Sequence, residues 1–594
     1  MRATSTFSLT LLLLIFLQGI SFSNDRVDKK KSSQQLGPNS KVTTCLPYKG
    51  PGIKLEGSIE DINGGYTIGP ERMTSLSGFY DWQTNGDCKH HIYYVSESII
   101  HTAFTTAIDS TNIETSRRTV YSFSSNGGLI WQTQVQVPSN VRSGFAFLTA
   151  GNSGASNGSA IIANHSGSPL GTAIHVDAFP GLGSFTHYPM PAPRYFIWPQ
   201  VNTLSNGNVL VSGNTYQGSS STDTLSTWVF NPNSGQWIGT QQFLLSNAST
   251  HLNMRLTSAT GPSGKALLVT TPINDEGGSF GGNRIFYWTS TDYGANWSSP
   301  GVLFDTQIDS DGDTSSPWIG LDAIYDDYSN FYVTFNTLGS NGSYSSAKIW
   351  INRNGTQNKI VARNTDIPGA MQSAVSTQAN MCSMDWPSLS VTQNGHYAVV
   401  GYSVPKQNDT VNGFNSMDTY FSLVSADLLG ISTPHQITSG NNDERYISLN
   451  RRVILNYKIP LVYQKDPQPG SFAFNDLAPL SRATLIYREI EYLNPLTGTG
   501  FTNSSIPGKF ILYQNYPNPF NPSTSIRFDI PKSGNVRILI YDISGKLVET
   551  LIDESLSPGT YEINWNGDRF ASGVYFYSLE AEVFKQTRKM LLVK

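Results

Sequence analysis

The stretch Arg284-Ile285-Phe286-Tyr287-Trp288-Thr289-Ser290-Thr291-Asp292-Tyr293-Gly294-Ala295-Asn296-Trp297 decides the fold. Its first half is β-branched and aromatic, the composition of a strand. Ser290, Asp292, Gly294 and Trp297 then spell S-x-D-x-G-x-x-W, which makes physical sense as a hairpin turn. Asp292 can accept backbone N–H groups, and Gly294 can take positive φ without a Cβ clash. Trp297 opens the return strand with a ring large enough to fill the space between neighbouring sheets.

The unit recurs. Ser124-Ser125-Asn126-Gly127-Gly128-Leu129-Ile130-Trp131 repeats it with asparagine in place of the aspartate, and turn glycines fall at Gly128, Gly181, Gly235, Gly294, Gly355, Gly430 and Gly498. Trp198-Pro199 precedes Asn206-Gly207 by the interval at which Trp386-Pro387 precedes Asn394-Gly395. Each Asn-Gly lies between apolar runs, the strongest short hairpin signal. Two hairpins per unit make a four-stranded blade, and blades arrayed radially make a β-propeller. Seven outer turns argue for seven blades over residues 78–506. The last two intervals are longer, which leaves six blades open.

Composition agrees with an all-β chain. Of 594 residues only 14% are charged, 12% are aromatic, and there are 53 glycines and 31 prolines. An average chain is roughly 25% charged, so long solvated helices are excluded, and with them a helical bundle or an α/β enzyme. The net charge of -4, from 39 basic and 43 acidic side chains, offers no basic excess to hold a nucleic acid backbone.

The S-x-D-x-G-x-x-W turn resembles the Asp-box of sialidases and related BNR-repeat propellers. Asp-boxes lie on the blade rim and are structural, so the resemblance implies a fold and not a reaction. A sialidase-like activity would need three arginines around a carboxylate, a Tyr–Glu nucleophile pair and an Asp acid/base. The family's Phe-Arg-Ile-Pro motif is absent, and the nearest string is Pro193-Arg194-Tyr195-Phe196-Ile197.

After Lys509 the chain changes character. Tyr516-Pro517-Asn518-Pro519-Phe520-Asn521-Pro522 opens a run of about seven short strands with turn signals between them, the pattern of a small immunoglobulin-like β-sandwich over 510–594. This tail resembles the type A sorting domain of type IX secretion in certain Gram-negative bacteria. The matching elements are YPNPFNP, IYDISGKLV (540–548), LSPGTY with Trp565, ASGVYFY (571–577) and the terminal Lys589 to Lys594. The resemblance implies export through the type IX machinery as partner, followed by release or anchoring at the cell surface.

Met1 to Ser23 read as a secretory signal: Arg2, an apolar stretch from Phe7 to Leu17, then Ser21-Phe22-Ser23 as a cleavage site. The apolar stretch is short of the roughly 20 residues a membrane span needs, and no transmembrane segment is expected in the mature chain. Residues 24–77 form a leader, polar at first, with Lys29-Lys30-Lys31. Outside the cytoplasm Cys45 and Cys88 could pair, leaving Cys382.

Residues just before the innermost strand of a blade tend to face the central funnel. Trp198, Trp318 and Trp386 occupy that place, with Trp82 as the counterpart in the first blade and Arg194 close by. Asp81-Trp82 and Asp385-Trp386 set a carboxylate beside an aromatic ring, which suits a sugar face and its hydroxyls. Two carboxylates across a cleft could also hydrolyse a glycoside, so Asp81 and Asp385 are the catalytic candidates. The bland alternative is that the tryptophans plug gaps between blades and the aspartates bond turn amides.

Asp309, Asp311 and Asp313 offer hard oxygen ligands of the kind calcium takes, without EF-hand spacing, against the alternative of a solvated acidic turn. No other cofactor is expected. His165, His175 and His187 fall in one blade, but their spacing fits no familiar ligand pattern. Gly261 to Lys265 resembles a phosphate loop without its essential positions and reads as a hairpin. The reading is a secreted or surface-exposed bacterial protein whose propeller binds an extracellular polymer or glycan. A glycoside hydrolase and a non-catalytic surface scaffold stand as alternatives.

Overall fold

The computed structural model describes residues 66–594 except 82, 84–89, 168–170, 192–194, 218–219, 246–252, 260–262, 272–283, 340–343, 373–382, 393–394, 396, 412, 455–456, 474–476, 493–499, 504–508, 532–533, 557–558 and 582–583. The signal sequence, most of the leader, all three cysteines, Trp82 and Arg194 lie outside the described residues.

Seven sheets of four or five strands, antiparallel except where Arg452–Val453 pairs parallel with Asp385–Thr392, follow one another along the chain, at 92–136, 143–189, 195–245, 253–305, 307–363, 385–436 and 443–492. They are the blades, one to seven, of a β-propeller. The innermost strands of blades two to seven stand side by side in chain order. Blade one closes on blade seven through His91 N–H to Ser448 Oγ (3.1 Å) and Tyr94 N–H to Asn450 Oδ1 (3.1 Å). The long interval after Gly355 holds no missing blade. It is taken up by the stretch ahead of Asp385–Thr392 and by the extended hairpin of Tyr397–Val411 with Phe414–Ser425.

The ring is completed from the other end of the chain. Tyr66–Ile68 and Arg72–Gly78 both pair with Ala483–Tyr492 and form the outer edge of blade seven, so the propeller begins ahead of Gly78. At the far end Gly500–Asn503 pairs with Gly559–Asn566, which makes it a strand of the tail.

No single core holds the ring, because each pair of adjacent blades buries its own apolar cluster. Between blades four and five, Val269 and Ile285 meet Leu321 and Val333; between seven and one, Val462 and Tyr487 meet Phe104 and Val120. The other five interfaces repeat the arrangement. Each fully buried aliphatic side chain contributes roughly 1.5–3 kcal/mol, so the interfaces stabilise the ring.

The outer turns brace these interfaces. Ser290 Oγ donates to Asp292 Oδ1 (2.8 Å) and accepts from Gly294 N–H (3.0 Å), while Asp292 Oδ1 accepts from Asn296 N–H (2.9 Å). Ser124 and Asn126 repeat the scheme with Gly128 N–H (2.9 Å) and Ile130 N–H (2.8 Å), since an amide oxygen accepts as a carboxylate does. Gly294 has φ 83°, and a Cβ there would lie 2.7 Å from Leu210 Cδ1 of blade three. Trp297 bonds across the same interface, from Nε1 to Thr227 Oγ1 at 3.1 Å. A further turn of this kind escaped the motif. In Ser425-Ala426-Asp427-Leu428-Leu429-Gly430, Ser425 Oγ donates to Asp427 Oδ1 (2.5 Å) and accepts from Gly430 N–H (2.8 Å), with the glycine one residue later than in the pattern.

The tail is a sandwich of two four-stranded sheets. Its own core includes Phe528, Ile538, Trp565 and Tyr577. No helix among the described residues is long and apolar enough to cross a membrane.

Candidate functional site

The innermost strands share one irregularity. Pairing slips between Gly144 and Phe147, Ile197 and Gln200, Pro317 and Leu321, Asp385 and Ser388, and Arg445 and Ser448, in blades two, three, five, six and seven. At four of these bulges the backbone turns left-handed on an aromatic residue: Phe145 (φ 54°), Trp198 (49°), Trp386 (50°) and Tyr446 (54°). Trp318 lies at the fifth. A left-handed non-glycine residue costs on the order of 1–3 kcal/mol and is held only where its surroundings demand it. Bulges re-aim side chains, so the propeller places an aromatic ring at the equivalent point of five blades.

The rings have different fates. Phe145, Trp386 and Tyr446 are buried, whereas Trp198 and Trp318 are half-buried. Trp386 packs on Tyr446 with ring centroids 4.3 Å apart and beside Met417, so it presents no face to solvent and fills the seam between blades six and seven. That corrects the expectation of a ligand contact at Trp386.

The two carboxylates expected to be catalytic are also enclosed. Asp81 accepts from Ser471 Oγ (2.8 Å), Phe472 N–H (2.8 Å) and Ala473 N–H (3.1 Å), and burial raises its pKa against those bonds. Asp385 is fully buried and accepts from Asn336 Nδ2 at 2.8 Å. Asp81 ties the Ser471–Ala473 loop to the ring, Asp385 ties blade six to the strand Phe331–Leu338 of blade five, and neither is open to a substrate in this structure.

Sequence reasoning missed a second acidic group at the seam of blades six and seven. Glu444, Asp466 and Asp418 are buried. Burial, then the Asp418 charge, raises Glu444 to about 9. Burial raises Asp466 to about 7 and Asp418 to about 6, the latter against the pull of Lys406. Arg445 lies beside them, paired with Asp443 at 2.5 Å. Asp443, Glu444 and Arg445 share the strand Asp443–Leu449, while Asp418 and Asp466 come from two other strands with no motif between them. The only sequence signal was the density of charge in Asp443-Glu444-Arg445.

Asp309, Asp311 and Asp313 do converge, with carboxylate oxygens within 4.8 Å of one another, an arrangement able to hold a cation. The Lys348 ammonium is already among them, and Arg363 Nε caps Asp311 at 2.6 Å. The three histidines of blade two separate: His175 and His187 face each other, while His165 packs against Phe145.

Comparison with known proteins bears on the tail first. Residues 514–594 match the family described as "Secretion system C-terminal sorting domain". The tail is a type IX secretion sorting domain. The chain carrying this sorting domain is thereby marked for export to the cell surface or beyond. No curated protein sequence matches the chain significantly. Among solved structures, a protein of unknown function from Dyadobacter fermentans DSM 18053 is 9% identical over 71% of this chain and 99% of its own, with a TM-score of 0.37. An α-L-arabinanase from Penicillium chrysogenum is 13% identical over 57% of this chain and 94% of its own (TM-score 0.37). A Trypanosoma rangeli sialidase is 9% identical over 87% and 90% (TM-score 0.33). Likeness this weak carries no argument about activity.

Proposed function

We propose that the sorting domain delivers a propeller that binds an extracellular polymer, with a glycan as the favoured class, on the face where Trp198 and Trp318 stand. The observation that supports this reading is the unequal burial of the bulge aromatics. Three are consumed by packing, but Trp198 and Trp318 keep part of their indole faces accessible at the same bulge of their innermost strands. Flat rings held at fixed spacing stack on sugar faces with little loss of entropy. In this reading Met1 to Ser23 direct passage of the inner membrane, and the Ser290–Trp297 turn is an Asp-box with a structural role. Calcium has no part in it, because an ion at Asp309, Asp311 and Asp313 would have to displace the Lys348 ammonium.

The test is a glycan array and a polysaccharide pull-down with the exported chain. Binding lost in Trp198→Ala or Trp318→Ala supports the reading; binding unchanged in both overturns it.

One observation favours the alternative of a glycoside hydrolase. Carboxyl groups pushed apart in pKa, such as Glu444 and Asp418, are how acid and base roles are divided. Both lie buried, so this reading requires the seam to open. Turnover of chromogenic glycosides that Glu444→Gln abolishes would establish it. Silence in every assay would leave a surface scaffold.

A further inference from the structure

Blade two holds a pair of histidines that the glycan reading does not use. His175 lies on Gly171–Asp177, and His187 lies directly opposite on the edge strand Phe185–Pro189. Their Nδ1 atoms are 3.3 Å apart. His175 is buried and His187 is exposed.

The tautomer of His175 follows from its other neighbour. Its Nε2 is 3.0 Å from Asn164 Oδ1. The Asn164 amide nitrogen donates to Thr119 Oγ1 (3.0 Å) and Val137 O (2.8 Å), which sets the orientation of the amide. The oxygen that faces the ring can only accept. His175 Nε2 therefore carries the hydrogen, and Nδ1 is left as a bare lone pair aimed at His187. Metal-ligating histidines are prepared in the same way, with the distal N–H held by an oxygen acceptor that fixes tautomer and ring orientation.

The spacing fits an ion better than it fits a hydrogen bond. N–H donors typically sit about 2.9–3.0 Å from their acceptors. Two imidazole nitrogens at about 2.0–2.1 Å from a tetrahedral ion lie about 3.3–3.4 Å apart.

We propose that His175 Nδ1 and His187 Nδ1 chelate a divalent transition ion of the zinc class on the outer edge of blade two. When the ion binds, His187 shifts its proton from Nδ1 to Nε2, a change of tautomer with no net proton released, and both lone pairs face the metal. The Asp177 carboxylate, two residues along the strand, is engaged by Gly183 N–H (3.2 Å) and Ser184 N–H (3.1 Å). The remaining coordination positions thus belong to water or to a donor from outside the chain. Imidazole donors suit zinc, copper and nickel, and not calcium or magnesium.

The test is calorimetric titration of zinc chloride into the untagged, metal-stripped full chain at pH 7.5, with thermal melting in parallel. The expected result is one zinc per chain and a melting temperature that rises with zinc concentration. Both effects weaken at least tenfold in His187→Ala and in the size-preserving His187→Gln, whose metal-free melting temperatures match the wild type because the side chain is exposed. Magnesium gives no effect. Failure of the wild type to take up zinc overturns the proposal, as does uptake undiminished in both variants.

Discussion

The Lys348 ammonium lies 2.5 Å from Asp309 Oδ2, with the two side chains 2% and 0% exposed. It reaches Asp313 at 3.0 Å and Asp311 at 3.1 Å as well. Desolvation opposes the charge on Lys348, but hydrogen bonds to the three carboxylates outweigh it and raise its pKa. The acidic loop therefore carries its counterion on a neighbouring strand. Removing one partner of a buried pair costs about 3–5 kcal/mol. Calcium should not move the wild-type melting temperature. Lys348→Met should melt far lower and recover part of the loss in millimolar calcium. Scanning fluorimetry checks both, and a calcium shift in the wild type would contradict this account.

Buried histidines and buried carboxyls pull stability in opposite directions as pH changes. Burial lowers His101 to about 4 and His175 to about 3, whereas an unfolded histidine titrates near 6.5. Below that value the unfolded chain binds protons that the folded chain refuses, so stability drops as pH falls from 6.5 towards about 4. Glu444 acts in the opposite sense. Its carboxyl is raised from 4.5 to about 9, so as pH rises through that window the unfolded chain releases a proton that the folded chain keeps, and stability is lost. Glu444→Gln, which imitates the protonated acid, should flatten the alkaline limb of a melting-temperature profile. An unchanged limb would exclude Glu444 as its cause.

Gly128 has φ 80°, and a Cβ there would stand 2.4 Å from Tyr487 Cε1, across the interface that closes the ring. Gly545 in the tail has φ 81° with nothing within 4 Å. Gly545→Ala should cost only backbone strain, roughly 1–3 kcal/mol. Gly128→Ala should cost about 1–3 kcal/mol more from overpacking. Urea unfolding of the two variants measures the difference, and equal losses would mean that Tyr487 moves aside freely.

Trp386→Ala removes a buried indole and should destabilise the propeller by about 3–5 kcal/mol. Its affinity for any polymer the wild type binds, measured on the folded fraction by calorimetry, should be unchanged. A selective loss of binding with normal stability would return Trp386 to the binding face.

Much of the architecture was legible because it rests on local chemistry. A Ser–Asp–Gly turn satisfies its own backbone groups within eight residues, so Ser290 to Trp297 and its degenerate copy at Ser124 announce hairpins whatever surrounds them. The same holds for the motifs that mark residues 514–594. The Ser425 turn was legible only through its glycine, Gly430, because an added residue before that glycine preserves the hydrogen bonds and breaks the Ser-x-Asp-x-Gly spacing. The domain edges were less legible: Tyr66–Ile68 pairs with Tyr492 and its neighbours, a contact that no local signal encodes.

By itself the sequence determined an all-β chain, a repeating blade and a sorting tail, since strand alternation and turn chemistry act between near neighbours. Tertiary structure alone decided what the conspicuous side chains do. The register slips alike at Trp198 and Trp386, and only the neighbours that tertiary packing supplies decide that Trp386 meets Tyr446 and Met417 while Trp198 keeps an open side. Lys348 reached the Asp309 loop, and His187 came opposite His175, only once strands were paired. Charge and ligand chemistry depend on which groups fold into contact, and that distance is not written in residue spacing.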